Sequence, residues 1–479
     1  MVRGVRGMTL DLYNACMAAA PKDLDITREM LEKYDLPGPR YTSYPTAPEW
    51  REEFGEADYR AALARAASTP DEPLSVYVHL PFCEERCLFC GCNVVISKHP
   101  EVSVKYLDYL YKEIAAVTPL LGERRVVKQM HWGGGTPTYQ SAQQLSQLHA
   151  ALSQHFVFAP GAEIALEVDP RVTTREQLEV LRALGFNRVS MGVQDLDARV
   201  QAAVNRNQTE EQTRAIFDAS RELGFEGINI DLIYGLPEQN PETWSRTIDH
   251  VIDIRPDRLA VYSYAHLPQM IKHQQKLDGL PRPTGAEKFD LFTIARRKFL
   301  DAGYRAIGMD HFALPTDELA IAMEERRLHR NFMGYTVVPA ADMLGLGVSA
   351  IGEVGGAYAQ NQKRPVKYYE ALDAGLLPAM TGIRLSPDDE IRRWTIRQLM
   401  CNFQLDFAEL ARRYHVDYDD YFQNEEAVLA EYYEEGFLVK GADRLEVLPL
   451  GQAFVRNICM VFDAYLKRPA SFRAFSRTV

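Results

Sequence analysis

The sequence predicts an α/β protein: a partial (β/α)6 barrel with an N-terminal arm before it and a mostly helical C-terminal domain after it. Between residues 74 and 266, six apolar, β-branched runs alternate with stretches of helical periodicity, which predicts a parallel sheet with right-handed crossovers. Each run ends on a polar signature, in order HLPFC, HWGGGTPT, EVDP, GVQD, DLIYG and YAH. In α/β barrels the C-terminal strand ends build the site, so six such endings converge on one mouth. Beyond about residue 375 the strand–helix rhythm gives way to helices. Periodicity alone leaves a flat, doubly wound sheet as the alternative.

Residues 1–70 read as the arm, 71–365 as the barrel with its extension and 366–479 as the C-terminal domain. In the arm, Asp25–Tyr34 has the pattern of a short amphipathic helix, and the prolines of the following run, PRYTSYPTA from Pro39 to Ala47, forbid a regular helix. An extended linker is the plain reading. The density of polar side chains at Arg40, Tyr41, Thr42, Ser43 and Tyr44 argues instead for an arm that touches the rest of the protein.

Strands are expected at Leu74–Phe82, Val126–Gly134, Glu163–Pro170, Arg188–Asp195, Gly227–Gly235 and Arg258–His266. Between them Leu107, Tyr111 and Ile114, then Leu145, Leu148 and Leu152, recur at helical spacing. The next helix opens with the capping pair Thr173 and Glu176 and buries Leu178 and Leu181. Further helices carry Ile216 and Leu223, then Trp244, Ile248 and Ile252. Tyr304–Phe312 supplies one more strand, while 328–336 and 345–351 read as glycine-rich loops. Near the end, a Leu445–Leu448 strand before a last helix from Gly451 to Leu466 is reminiscent of a winged helix. The acidic Glu431, Glu434 and Glu435 argue for a covering or substrate-contacting role over DNA binding.

With 479 residues and a net charge of −12, the chain has no general affinity for nucleic acid, and an acidic substrate must be met by locally gathered cations. No run approaches eighteen consecutive apolar residues, so no membrane span is expected. The N-terminal apolar run is short and broken by Asp11 and Asn14, a poor signal peptide. Seven cysteines, clustered and odd in number, argue for a reducing, cytoplasmic setting.

The chemistry concentrates at Cys83, Cys87, Cys90 and Cys92, spaced C-x3-C-x2-C-x-C. So tight a loop cannot close several disulfides without strain. A structural zinc site would call for a second, distant cysteine pair, which the sequence lacks. Three thiolates at 83, 87 and 90 are one short of the four that usually hold a [4Fe–4S] cluster, leaving one iron open to a non-protein ligand. Zinc or free thiols remain the alternatives. Just ahead, His79 is either a satisfied core histidine or a hydrogen-bonding group near the cluster, and Cys92 is either a small buried thiol or a group close to cluster or substrate. Gly133–Gly134–Gly135–Thr136–Pro137 lets backbone amides approach a ligand, and Glu167 can accept hydrogen bonds from hydroxyl or ammonium groups.

The run HLPFCEERCLFCGCN, with GGGTP and PRYTSYPTA, resembles the radical S-adenosylmethionine enzymes and, among them, the oxygen-independent coproporphyrinogen III oxidases. A haem-chaperone branch on the same scaffold is the alternative; it usually lacks the C-x-C ending seen at Cys92. The resemblance implies a radical-SAM barrel in which Cys83, Cys87 and Cys90 hold the cluster. Tyr77, Gly134, Glu167 and Ile351 would meet a first S-adenosylmethionine, and Phe89, Gly135, Thr136, Gln194, Arg206, Asp231 and Ala265 a second. Tyr77, His79, Cys92 and Glu167 would stand at the reacting centre. The implied reaction is oxidative decarboxylation of coproporphyrinogen III to protoporphyrinogen IX by a 5′-deoxyadenosyl radical, in haem biosynthesis. The implied partner is a low-potential electron donor such as a flavodoxin or ferredoxin, and the implied state a monomer. One departure is Met333, where several relatives carry Gln.

Overall fold

The six runs form consecutive strands of one sheet: β1 Leu74–Leu80, β2 Val126–Gly134, β3 Val157–Val168, β4 Arg188–Gln194, β5 Gly227–Tyr234 and β6 Arg258–Ser263. The structure, a computed structural model, describes residues 26–338, 342–467, 475 and 477–478; Asp25, Cys16 and the N-terminal apolar run lie outside the described residues. Strands β1 to β6 lie side by side in chain order, every neighbouring pair parallel. A doubly wound sheet would reverse its strand order at a switch point, so this single winding is that of a barrel. Curling is visible in the interior, where Gln129, Glu163, Ser190, Asn229, Asp231 and Tyr262, from five strands, face one cavity.

A capping box opens one helix after each of β2 to β5. Ser141 pairs with Gln144, Thr174 with Gln177, Thr209 with Gln212 and Asn240 with Thr243. The expected pair Thr173 and Glu176 is thus displaced by one residue. Thr173 instead donates to the Asp169 carbonyl at 2.8 Å and shares a hydrogen bond with Thr138, tying the β3 end to the neighbouring turn. Behind the strands, Leu148, Leu178, Leu181, Trp244 and Ile248 seal the core.

The sheet continues past both ends of the barrel. Tyr304–Phe312 is not one strand but a hairpin, β7 Arg305–Ile307 and β8 His311–Ala313, with β8 antiparallel to β6. The segment read as a glycine-rich loop at 345 begins inside a strand: β9, Asp342–Leu346, pairs parallel with β1. Strands β10 Ile351–Val354, β11 Ala357–Asn361 and β12 Ala379–Arg384 extend that edge antiparallel. The other supposed loop is a hairpin of His329–Asn331 with Gly334–Thr336. The C-terminal helices enclose a small sheet of Gln404–Asp406, Arg444–Val447 and Leu438–Lys440. Their core takes in Tyr34, Tyr41 and Tyr44, so the arm packs into it. Among the described residues, no helix is long and apolar enough to cross a membrane.

Candidate active site

Strand β1 breaks at Pro81, and the two residues beyond it pair with Val95–Ile96, so the cysteine loop closes on itself at its root. Its backbone is stapled from several directions. Leu88 donates to the Val204 carbonyl at 2.9 Å, Gln274 Nε2 to the Phe89 carbonyl at 3.0 Å, and His273 Nε2 lies 2.8 Å from the Cys90 carbonyl. The loop therefore presents Cys83, Cys87 and Cys90 to one cavity of about 220 Å³.

Each thiol has its own surroundings. Cys83 Sγ lies 3.5 Å from the Thr136 hydroxyl, and burial pushes the thiol up to about 11. Cys87 Sγ faces two guanidinium groups, Arg206 Nη1 at 3.5 Å and Arg171 Nη2 at 3.8 Å. Cys90 Sγ accepts the Cys92 amide at 3.4 Å, and hydrogen bonding from Cys92 pulls the thiol down towards the thiolate. Among the described residues, no three His, Cys, Asp or Glu side chains converge on a point that a single ion could occupy. Three thiols around one cavity of this size fit an inorganic group of several atoms. Two further features fit such a group: cationic charge beside the sulfurs, and the buried Arg206 Nε, which has no hydrogen-bond partner among the described residues.

The glycine turn fits tightly against this loop. Gly135 donates to the Leu80 carbonyl at 2.9 Å and Thr136 to the Phe82 carbonyl at 2.8 Å. A Cβ on Gly135 would fall 2.6 Å from the Pro81 carbonyl carbon. Gly134, at φ +106°, leaves no room for a Cβ against the His79 ring. Its amide donates instead to Glu167 Oε2 at 3.1 Å, while His131 Nε2 sits 3.4 Å from Oε1. Burial raises the Glu167 pKa, but His131 and the Gly134 amide outweigh it and hold the carboxyl below its ordinary value.

His79 is buried, and burial lowers its pKa, so the ring is neutral near pH 7. Its Nε2 faces the Asn93 carbonyl at 3.0 Å, an atom that only accepts. Nε2 therefore carries the hydrogen, and Nδ1 accepts from the Tyr77 hydroxyl at 3.0 Å. Cys92 is exposed and opens on the cavity.

Of the sequence-identified residues, Phe89, Gly135, Thr136, Gln194, Arg206 and Asp231 line the same cavity as the thiols. Gln194 ends β4 in the left-handed region, at φ +69°. Asp231 Oδ2 accepts from Ser190 at 3.0 Å, and burial, reinforced by Glu167, pushes its carboxyl up to about 6. Ala265 is not among the lining residues; its carbonyl shares the Gln274 amide with that of Phe89. Tyr77, His79 and Ile351 border a second, larger cavity of about 880 Å³, and Cys92, Gly134 and Glu167 border both. Met333 also borders the larger one, its amide donating to Asn331 Oδ1 at 2.8 Å.

Sequence reasoning missed Asp169, Arg171 and His131. Asp169 holds both Arg171 (2.7 Å) and Arg206 (3.2 Å) beside Cys87. The signal was present in EVDPR: a carboxylate and a guanidinium flanking a strand-terminating proline.

Residues 77–251 match the Radical SAM superfamily and residues 385–454 the HemN C-terminal domain. The oxygen-independent coproporphyrinogen III oxidase of Escherichia coli is 45% identical over 458 residues, covering 96% of this chain and 99% of its own. That of Pseudomonas aeruginosa is 43% identical over 453 residues, covering 94% and 98%. The solved structure of coproporphyrinogen III oxidase (HemN) from Escherichia coli, described as a radical SAM enzyme, superposes with a TM-score of 0.87 at 44% identity, covering 92% of this chain and 99% of that one. A barrel whose strand ends cradle a thiol triad, continued into a HemN-type C-terminal region along nearly the whole length of such relatives, is a family property: the chain belongs to the oxygen-independent coproporphyrinogen III oxidases of the radical SAM superfamily.

Proposed function

We propose that the protein converts coproporphyrinogen III to protoporphyrinogen IX without oxygen, by oxidative decarboxylation of two propionate side chains, in haem biosynthesis. The observation that carries this is the meeting of the two cavities: the thiol-lined cradle and the larger chamber share Cys92, Gly134 and Glu167 as a common wall. When bound, a [4Fe–4S] cluster and S-adenosylmethionine supply the one-electron cleavage that ends in removal of a hydrogen atom from the substrate.

The chain's own residues position these groups. Cys83, Cys87 and Cys90 are the cluster ligands, and Arg206 and Arg171 offset the charge that builds up on the sulfurs. Gly134, Glu167, Tyr77 and Ile351 take the first S-adenosylmethionine. Ionised Glu167 accepts from its hydroxyl or ammonium groups, and the neutral Tyr77–His79 pair holds the wall beside it in a fixed hydrogen-bond order. Phe89, Gly135, Thr136, Gln194, Arg206, Asp231 and Ala265 take a second molecule; their gathering around one cavity, with Ala265 tied to Phe89 through Gln274, supports that reading. Cys92, exposed at the shared wall, faces the reacting centre. The glycine turn packed against the cysteine loop excludes water behind the cradle. A low-potential flavodoxin or ferredoxin supplies electrons, and the protein works as a cytoplasmic monomer.

An anaerobic assay with coproporphyrinogen III, S-adenosylmethionine and a low-potential reductant tests this, following vinyl product and 5′-deoxyadenosine together. Stoichiometric appearance of both is expected. Tight haem binding with no porphyrinogen turnover would replace the assignment with the chaperone one.

A further inference from the structure

The large cavity has one buried cationic corner. Arg330, in the hairpin beside β8, is 9% exposed and borders the cavity. Its Nη1 donates to the Arg40 carbonyl at 2.6 Å, its guanidinium lies 5.4 Å from the Tyr335 ring centroid, and its buried Nε has no hydrogen-bond partner among the described residues. Arg40 comes from the arm, borders the same cavity, and meets Asp310 at 3.3 Å through a single nitrogen. The other oxygen of Asp310 is held by His311 Nδ1 at 2.7 Å. Arg40 is thus paired with Asp310, whereas among the described residues no acid forms an ion pair with Arg330.

A buried charge without a counter-charge is costly, and a guanidinium fork matches a carboxylate in geometry as well as sign. Lys272 and Lys363 border the same cavity but are exposed, so water already solvates them. The corner is also set apart from the thiols: neither Arg40 nor Arg330 borders the cavity that Cys83, Cys87 and Cys90 line.

We propose that Arg330, completed by Arg40 from the arm, seats a carboxylate of the substrate that does not react, anchoring the porphyrinogen while another propionate faces the wall of Cys92, Gly134 and Glu167. This rests on the reading of the chain as a coproporphyrinogen III oxidase. A porphyrinogen that keeps two of its four carboxylates through both decarboxylations can hold such an anchor in each round. A grip on a reacting propionate would be lost at the step it serves.

The test compares wild type with Arg330→Gln, Arg330→Lys and Arg40→Gln in anaerobic steady-state kinetics. Two substrates are used: coproporphyrinogen III, and its derivative with the two non-reacting propionates as methyl esters. Losing a charge-assisted carboxylate contact is expected to raise KM roughly ten- to hundredfold in Arg330→Gln, with kcat moved far less. Arg330→Lys falls between, since an ammonium cannot form the fork. The diester raises the wild-type KM by a similar factor but adds nothing to the Arg330→Gln defect, because both remove the same contact. Arg40→Gln, in a partly exposed arm residue, shows the same ester dependence in weaker form and keeps the proposal testable should Arg330→Gln fold poorly. An unchanged KM in Arg330→Gln, or ester and mutation penalties that multiply, overturns the anchor while leaving the reaction assignment intact. Absence of vinyl product from the wild type with the tetra-acid overturns both.

Discussion

Glu167 and Gly134, on neighbouring strands, are joined by a backbone amide that donates to Glu167 Oε2 at 3.1 Å. The bond fixes a carboxylate on the wall between the two cavities, and with His131 it holds that carboxyl below its ordinary pKa. The missing Cβ at Gly134 leaves room for the His79 ring, so one backbone position orders both the acid and the neutral histidine.

Glu167→Gln keeps an acceptor for the Gly134 amide but removes the charge. Hydrogen bonds to charged groups are worth about 1.5–3 kcal/mol, so S-adenosylmethionine affinity is expected to fall roughly ten- to hundredfold. Equilibrium binding to the cluster-loaded protein measures this, and an undiminished affinity removes Glu167 from the first site.

Gly135→Ala places a methyl group against the carbonyl carbon of Pro81, 2.6 Å away, and the obstacle is backbone, which cannot swing aside. Overpacking of this kind costs about 1–3 kcal/mol. It should also push the cysteine loop off the strand end, so the variant is expected to show both a lowered denaturation midpoint and poor iron retention. Full iron content at wild-type stability would mean that the close approach of turn and loop is dispensable.

The four cysteines of the loop should divide three to one. Cys83, Cys87 and Cys90 line the cradle, whereas Cys92 is exposed at its rim and donates its amide to Cys90 Sγ. Serine at any of the first three should abolish iron binding, about four per chain when loaded. Cys92→Ser should keep its iron and lose turnover. Iron loss in Cys92→Ser equal to that in Cys83→Ser would make Cys92 part of the cluster site itself.

The barrel strands were legible because each carries its own local signal: a β-branched run closed by a polar ending. Strand β9 was not. It is buried along its whole length, so it shows no alternation, and the glycines at 345 and 347 imitate a loop. Glycine is needed there for a different reason: a Cβ at 345 would meet the Ile351 carbonyl oxygen at 2.4 Å. Its partner, β1, lies more than 250 residues earlier in the chain, beyond any local pattern. The cysteine triad was legible from spacing alone, but the cations serving it were not. Arg171 and Arg206 reach Cys87 from the segments that follow two different strands, β3 and β4, and only the closure of the barrel brings them together.

Glu113 predicts a pH dependence of stability away from the chemistry. It is fully buried and accepts from the Gly347 amide at 2.7 Å, Asn361 Nδ2 at 2.6 Å and the Tyr368 hydroxyl at 2.6 Å, joining its helix to the end of β9 and to β11. Burial pushes its carboxyl up to about 7 from an ordinary 4.5, although all three donors oppose the shift. Below pH ~4.5 the group is protonated in both folded and unfolded chains and contributes no slope. Between about 4.5 and 7 the folded chain keeps a proton that the unfolded chain has released, so stability falls as pH rises. Above about 7 both forms are ionised and the loss is complete, on the order of 3 kcal/mol. Glu113→Gln removes that slope, because the amide stays neutral throughout. Anaerobic urea unfolding of wild type and variant at intervals from pH 5 to 8 should therefore give midpoints that converge as pH rises, the wild type starting higher. Midpoints that stay a constant distance apart would show that Glu113 is already ionised in the folded protein at pH 5, its three donors having overcome the cost of burial.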